Sequence, residues 1–301
     1  MWYACSFAIN YFDEDKVISN PISLGCGIYL EPAPEWVKHE DAIKYLSWNN
    51  RKDIEDTSIV FSTRYEAEAL GSPDPSWKGK TAKGIQSVVE EKFMLSSLAL
   101  WLVKPSRLSC NTFIHFSTEN DPNSNRSSGK LNSISVDQND LDNCLTSENI
   151  SDASIIFETI MTINRDGSLW SAIRMLIIAL DQHIWEIRYL LLWVAIEALF
   201  GTENTQETTY RLSQRAAFFV EDTNENRKTK FTQIKKAYGI RSQTVHGLRL
   251  SKLTPVRSTE NMNCTEAMIR HSMIKILTSG ELINIFNTKK REEYLDALVF
   301  S

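Results

Sequence analysis

Residues Ser168–Gly201 read SLWSAIRMLIIALDQHIWEIRYLLLWVAIEALFG. Ser168 can cap a helix that runs to Leu180, and a second runs from about Asp181 to Phe200 before Gly201 stops it. Both are apolar nearly all round, which predicts helices at the centre of a bundle, covered on several sides. A membrane span is a poor fit: Arg174, Asp181, His183, Glu186, Arg188 and Glu197 interrupt the stretch, and its longest uncharged apolar run is the eight residues Tyr189–Ile196. Trp170, Trp185 and Trp193 therefore read as core or interface residues.

The pattern on either side of this pair is also helical. Ala153–Ile163 precedes it and ends near Asp166-Gly167; about Asn204–Val220 follows, with Leu212, Ala216, Phe219 and Val220 on one stripe. Glu225–Ala237 predicts another helix, Tyr238-Gly239 a break, Thr265–Thr278 a further helix, and one or two short helices the end of the chain. Residues 151–301 thus predict an all-α bundle.

Residues 1–117 mix signals. Trp2–Ile9, parts of Val17–Leu30, Thr57–Thr63 and Thr112–Ser117 read as strands, whereas Glu35–Trp48 and Ala82–Val103 read as helices, the latter stopped by Pro105. Between the halves, 17 of the 33 residues from Thr118 to Ile150 are Asn, Ser or Asp, which predicts a polar linker or loop. The expected class is α+β: a mixed α/β N-terminal domain over 1–117, a linker over 118–150 and a helical domain over 151–301.

The 301 residues are 42% apolar, with 33 Lys plus Arg against 38 Asp plus Glu, which excludes collagen, coiled coil and wholesale disorder. Five scattered cysteines form no C-x-x-C pair and point to a reducing cytoplasm; the N-terminus lacks the basic and apolar regions of a signal peptide. The charge is unevenly spread. Residues 1–150 carry 14 Lys/Arg against 21 Asp/Glu, but Asn226–Thr259 carries nine basic residues and no acidic one. That segment includes Arg227, Lys228, Lys230, Lys235, Lys236 and Arg249, a local field suited to phosphate neutralisation on RNA or equally to a solvated basic face.

Phosphate-loop, dinucleotide, zinc-protease and hydrolase-elbow motifs are absent, and none of the five histidines lies three or four residues from another His or Cys. Arg241 and His246 remain. Five residues of helix separate them by about 140°, so they converge on one phosphate only in a cleft; the same spacing also describes an exposed basic loop.

The segments IEALFG (Ile196–Gly201), YRLSQRAAFFV (Tyr210–Val220) and IKKAYGIRSQTVHG (Ile234–Gly247) resemble the Apea-like branch of the HEPN superfamily. The resemblance covers most of residues 152–287. It implies a helical bundle, commonly homodimeric, that cleaves RNA without a metal or other cofactor through an Arg followed, after four to six residues, by His. Arg241 and His246 match that motif. The residue after the Arg is usually Asn, Asp or His, where this chain has Ser242. Glu197 and Arg215 match polar positions on neighbouring helices and, with Ser242 and Tyr238, are the expected supporting residues; a salt bridge is the alternative role for Glu197 and Arg215. The resemblance further implies a bacterial toxin or antiphage effector in the cytoplasm, with RNA as partner and a regulatory or phage-derived ligand at the N-terminal domain. A catalytically inactive scaffold binding RNA or protein is the other reading.

Overall fold

The computed structural model describes residues 1–9, 18–55, 57–66, 82–105, 109–131, 134, 145–202, 208–245 and 255–300. The chain is α+β and divides into two compact units, Met1–Met161 and Thr162–Ser301.

The first unit is built on a six-stranded antiparallel sheet: β1 (Trp2–Ile9), β2 (Ile22–Gly25), β3 (Ile28–Pro32), β4 (Ile59–Tyr65), β5 (Ser109–Phe116) and β6 (Asn125–Lys130), in the order β2-β3-β4-β1-β5-β6. Trp2–Ala8 are buried throughout, as a central strand covered on both faces requires. On one face Tyr3, Cys5 and Phe7 join Val60, Ile114 and Phe116 in a cluster with Val37, Ala42, Ile43, Leu46 and Ile54. These come from α1 (Glu35–Lys38), α2 (Glu40–Ile43), α3 (Trp48–Glu55) and the residues between them. The single helix expected over Glu35–Trp48 is broken, because His39 adopts extended backbone and its Nδ1 accepts the Asp41 amide at 3.3 Å, starting α2 afresh.

The helix α4 (Ala82–Val103) has the limits its periodicity predicts, and Leu95–Leu102 are buried at every position. All-round burial arises because α4 packs against both the sheet and α5 (Ser147–Met161). The segment expected as a linker is structured where described at its start. Asp121 caps a 3-10 turn over Pro122–Ser124, and β6 then pairs with β5 from Thr112 to Phe116. A polar strand is stable at a sheet edge because its backbone, rather than its side chains, satisfies the ladder. Gly129 leaves room there for the Phe113 ring, which a Cβ would meet at 2.9 Å. The helix expected at Ala153–Ile163 begins earlier, as α5, and belongs to the first unit, where it also packs on β2.

The second unit is a helical bundle: α6 (Ser168–Leu180), α7 (Trp185–Phe200), α8 (Thr208–Val220), α9 (Asn224–Val245), α10 (Pro255–Leu277), α11 (Gly280–Phe286) and α12 (Arg291–Phe300). The helix α7 packs on α6, α8, α9 and α10, and buries Tyr189, Leu192, Trp193, Ala195, Ile196, Leu199 and Phe200. It is not covered all round: Ile184 before its first turn and Ile187 and Val194 on it are 56%, 41% and 38% exposed. The expected break at Tyr238-Gly239 does not occur. The helix continues through Gly239 because Ile234 and Tyr238, in the turns leading up to that residue, are buried and Tyr189 Oη donates to the Ala237 carbonyl at 2.8 Å. The helix α10 starts ten residues before its expected start at Thr265, held early in its course by the Trp185 Nε1 bond to the Ser258 carbonyl at 3.2 Å.

Candidate active site

Every fourth residue of α7 from Trp185 faces the same way: Trp185, Tyr189, Trp193 and Glu197. Trp185 stacks on Tyr189 with ring centres 4.8 Å apart, Tyr189 meets Trp193 edge-on, and Trp193 meets Tyr238 of α9 at 5.3 Å and 90°. This aromatic row fixes Tyr238 against α7, and the Tyr238 hydroxyl donates to Glu197 Oε1 at 2.9 Å.

Arg241 lies one turn further along α9. Its Nη2 reaches both Glu197 oxygens, at 3.0 Å and 3.2 Å, and its guanidinium lies 5.3 Å from the centre of the Tyr238 ring. Both side chains of the ion pair are about a quarter exposed, so the pair faces solvent on one side. Arg241 Nε is buried and has no hydrogen-bond partner among the described residues. Burial, and then the negative charge of Glu197, raises the Tyr238 pKa above its usual value. The phenol is therefore a hydrogen-bond donor at neutral pH and no general base. The arrangement clamps a planar cation between a carboxylate and an aromatic ring and leaves one buried donor unmatched among the described residues.

Of the expected site residues, the structure brings Arg241, Tyr238 and Glu197 together. Ser242 is half-buried in the same last turn of α9. His246 and Arg249 lie outside the described residues. Arg215 is not part of this cluster: it is 2% exposed, donates through Nε and Nη2 to Asp296 at 3.0 Å and 2.7 Å, and caps the end of α7 through the Gly201 carbonyl at 3.1 Å. Its alternative role as a bridge between helices is the one the structure displays.

The basic segment is also less uniform than its composition suggests. Arg227 donates from Nε to the Glu221 carbonyl at 2.9 Å and lies over the Phe218 ring, and Lys230 pairs with Glu221 at 3.4 Å. Lys228, Lys235 and Lys236 are exposed. Six residues separate Lys235 from Arg241, a rotation that places them about 120° apart around α9. The exposed lysines thus occupy a different flank from Arg241.

Sequence reasoning read Trp185 and Trp193 of this constellation only as core or interface residues and gave Tyr189 no role of its own. The four-residue repeat Trp185, Tyr189, Trp193, Glu197 is the signal that marks them. Among the described residues no group of three or more His, Cys, Asp and Glu is placed to hold a metal ion, and no helix is long and apolar enough to cross a membrane. Comparison with protein-family models, curated proteins and solved structures yields no match for this chain.

Proposed function

We propose that the second unit is a metal-independent endoribonuclease of the HEPN type, and that the Arg241 cluster is its phosphate-binding half. The observation that carries this reading is Arg241 itself: held through Nη2 by Glu197, its guanidinium is about a quarter exposed, and a phosphate oxygen would approach it from that open side. Arginine suits the task because its fork is planar and permanently charged. RNA carries its own nucleophile. Removal of the 2′-hydroxyl proton lets that oxygen attack the adjacent phosphorus, the bond to the 5′-oxygen breaks, and a proton passes to the leaving oxygen, giving a 2′,3′-cyclic phosphate and a 5′-hydroxyl. His246, five residues after Arg241, is the group that titrates near neutrality and serves this proton traffic, an effect worth roughly 10² to 10⁴ in rate. Arg241 stabilises the charge that develops on the phosphorane oxygens.

The same reading makes the protein a homodimer through the second unit. Ile184, Ile187 and Val194 form an exposed apolar stripe beside Glu197, and a second copy seated on it would bring two Arg241 clusters toward one cleft. A bacterial cytoplasmic toxin or antiphage effector is the setting that fits, with the first unit receiving a regulatory or phage-derived ligand.

A second reading, a scaffold that binds RNA or protein without cutting, is favoured by the Glu197 carboxylate, which already neutralises Arg241. Incubating wild-type protein, Arg241→Ala and His246→Ala with total bacterial RNA in EDTA separates the two. An enzyme yields fragments ending in 2′,3′-cyclic phosphate from the wild type alone; a scaffold yields none from any of the three while all keep the same oligomeric state.

A further inference from the structure

The helices α8 and α9 pack side by side on either side of a short turn, Arg227 lying over the Phe218 ring near that turn and Phe231 meeting the Tyr210 ring further from it. The Tyr210 and Phe231 ring centres are 5.2 Å apart at 71°, an edge contact that fixes both rings at the seam between the helices. Phe231 is half-buried there, whereas Tyr210 stays 48% exposed and turns the rest of its ring to solvent.

Cations flank this ring. Lys228 and Lys235 stand three residues before Phe231 and four after it, which places them about 10 Å apart along α9 and within about 20° of one another around it, on the Phe231 side. Both are exposed, as is Arg211, next to Tyr210 on α8. None of the three has an ion-pair partner among the described residues, where the carboxylates of the bundle engage Arg188, Arg215, Lys230, Arg241 and Arg291 instead. The whole of α9 carries six Lys or Arg against one carboxylate, Glu225 in its first turn. A shallow hollow lined by Lys228, Thr229, Thr232, Gln233 and Lys236 continues the flank away from the seam and leaves room for a sugar-phosphate between two ammonium groups. An open aromatic ring beside unpaired cations matches a ligand with the same alternation, flat bases on an anionic backbone. Duplex bases are closed to such a ring because they stack on one another, whereas those of a single strand are free to leave the stack. An acidic polypeptide answers the lysines but brings no base to the ring.

We propose that the seam of α8 and α9 binds single-stranded RNA, with one base stacked on Tyr210 and backbone phosphates on Lys228, Lys235 and Arg211. The choice of RNA among single strands rests on the reading of Arg241 as a cleaving residue, while the stacking and the charge stand apart from it. Because Lys235 and Arg241 occupy different flanks of α9, the seam holds the strand outside the cleavage cleft.

The test is fluorescence anisotropy of the full chain with a labelled RNA of about 12 nucleotides, methylated at every 2′-oxygen so that it cannot be cut, over a range of salt concentrations. Tyr210→Ala weakens binding about fivefold or more and leaves the salt dependence as it was, whereas Tyr210→Trp keeps the wild-type affinity. The double variant Lys228→Gln, Lys235→Gln lowers the slope of log affinity against log salt by about 1.4, with unchanged far-ultraviolet circular dichroism. No binding by the wild type, equal binding of the duplex form, equal competition by polyglutamate, or wild-type affinity in Tyr210→Ala overturns the assignment. Arg241→Ala keeps the affinity, so a protein that binds here and never cuts refutes the enzyme alone, and one that cuts while its Tyr210 and lysine variants bind unchanged refutes the seam alone.

Discussion

Glu197 and Arg241, 44 residues apart in sequence, meet at 3.0 Å across α7 and α9, and the Tyr238 hydroxyl occupies the same Glu197 oxygen at 2.9 Å. The carboxylate is therefore the hub of the candidate site, serving a cation and a phenol together. Glu197→Gln preserves its size and removes its charge. Tyr238 then titrates closer to the ordinary phenol range without reaching it, because burial, the larger cause of its raised pKa, remains. Ultraviolet phenolate titration of the variant beside a Tyr238→Phe control measures this; an unchanged titration would show that Glu197 exerts no field on the phenol. The ion pair itself, open to solvent on one side, contributes about 1 kcal/mol or less to stability.

Arg215 and Asp296 make a second long-range pair with the opposite balance of exposure, 2% against 53% for their side chains. Replacing the buried partner removes the donor that meets the Gly201 carbonyl at 3.1 Å and the Phe200 carbonyl at 3.5 Å and empties packed volume, so Arg215→Gln lowers the unfolding free energy by about 3 kcal/mol. Asp296→Asn lowers it by about 1 kcal/mol or less, since the remaining guanidinium keeps Gly201 and has Glu292 near at 3.9 Å. Urea unfolding of the two variants compares these losses. Equal effects would contradict the structural role assigned to Arg215.

Gly239 sits inside α9 with nothing within 4 Å of where a Cβ would stand. Alanine there removes backbone freedom from the unfolded chain at no steric cost, so Gly239→Ala raises stability by about 0.5 to 1 kcal/mol. A lower thermal midpoint for this variant would mean that the helix does not run continuously through residue 239.

Burial raises the pKa of Tyr3, Tyr65, Tyr189 and Tyr238 and of the thiols of Cys5 and Cys110, the last pushed up to about 12. Each of these acids keeps its proton longer folded than unfolded, so the unfolded chain binds fewer protons once the pH passes its own pKa values. Stability from this source is fully present below about pH 8.5, the ordinary thiol value, and declines as the pH rises through the phenol range near 10. Denaturant midpoints at pH 7, 9 and 10.5 should fall in that order. A flat profile would show that these groups are solvated in the folded protein.

Much of the architecture was legible in local pattern. The bounds of β1 and α4 coincide with their predicted spans, because continuous apolar runs and a 3.6-residue period are properties of neighbouring residues. The identity of the cluster has another source: spacing within the basic segment points to Arg241, whereas Glu197 and Tyr238 are expected only through the family resemblance. Errors arose where a distant partner overrode a local signal. Gly239 marks a break only until Tyr189 and the burial of Tyr238 hold α9 together, and Asn125–Lys130 reads as a loop only until β5 offers its edge. Arg215 shows the same limit, since a polar residue on a neighbouring helix points to the candidate site or to Asp296 with equal ease in one dimension.

The sequence by itself determined the α+β class, the central place of the Trp185–Phe200 helix and the basic character of the segment that holds Arg241, all of which follow from periodicity and composition along a short stretch of chain. Only the tertiary structure decided which of those residues meet. It joined Glu197 to Arg241, gave Arg215 to Asp296, tied Arg227 and Lys230 to the end of α8, and set Tyr210 against Phe231 at the seam of α8 and α9. Such pairings depend on helix rotation and on contacts dozens of residues apart, where one position of helix turns a side chain by about 100° and so sends it to a different neighbour.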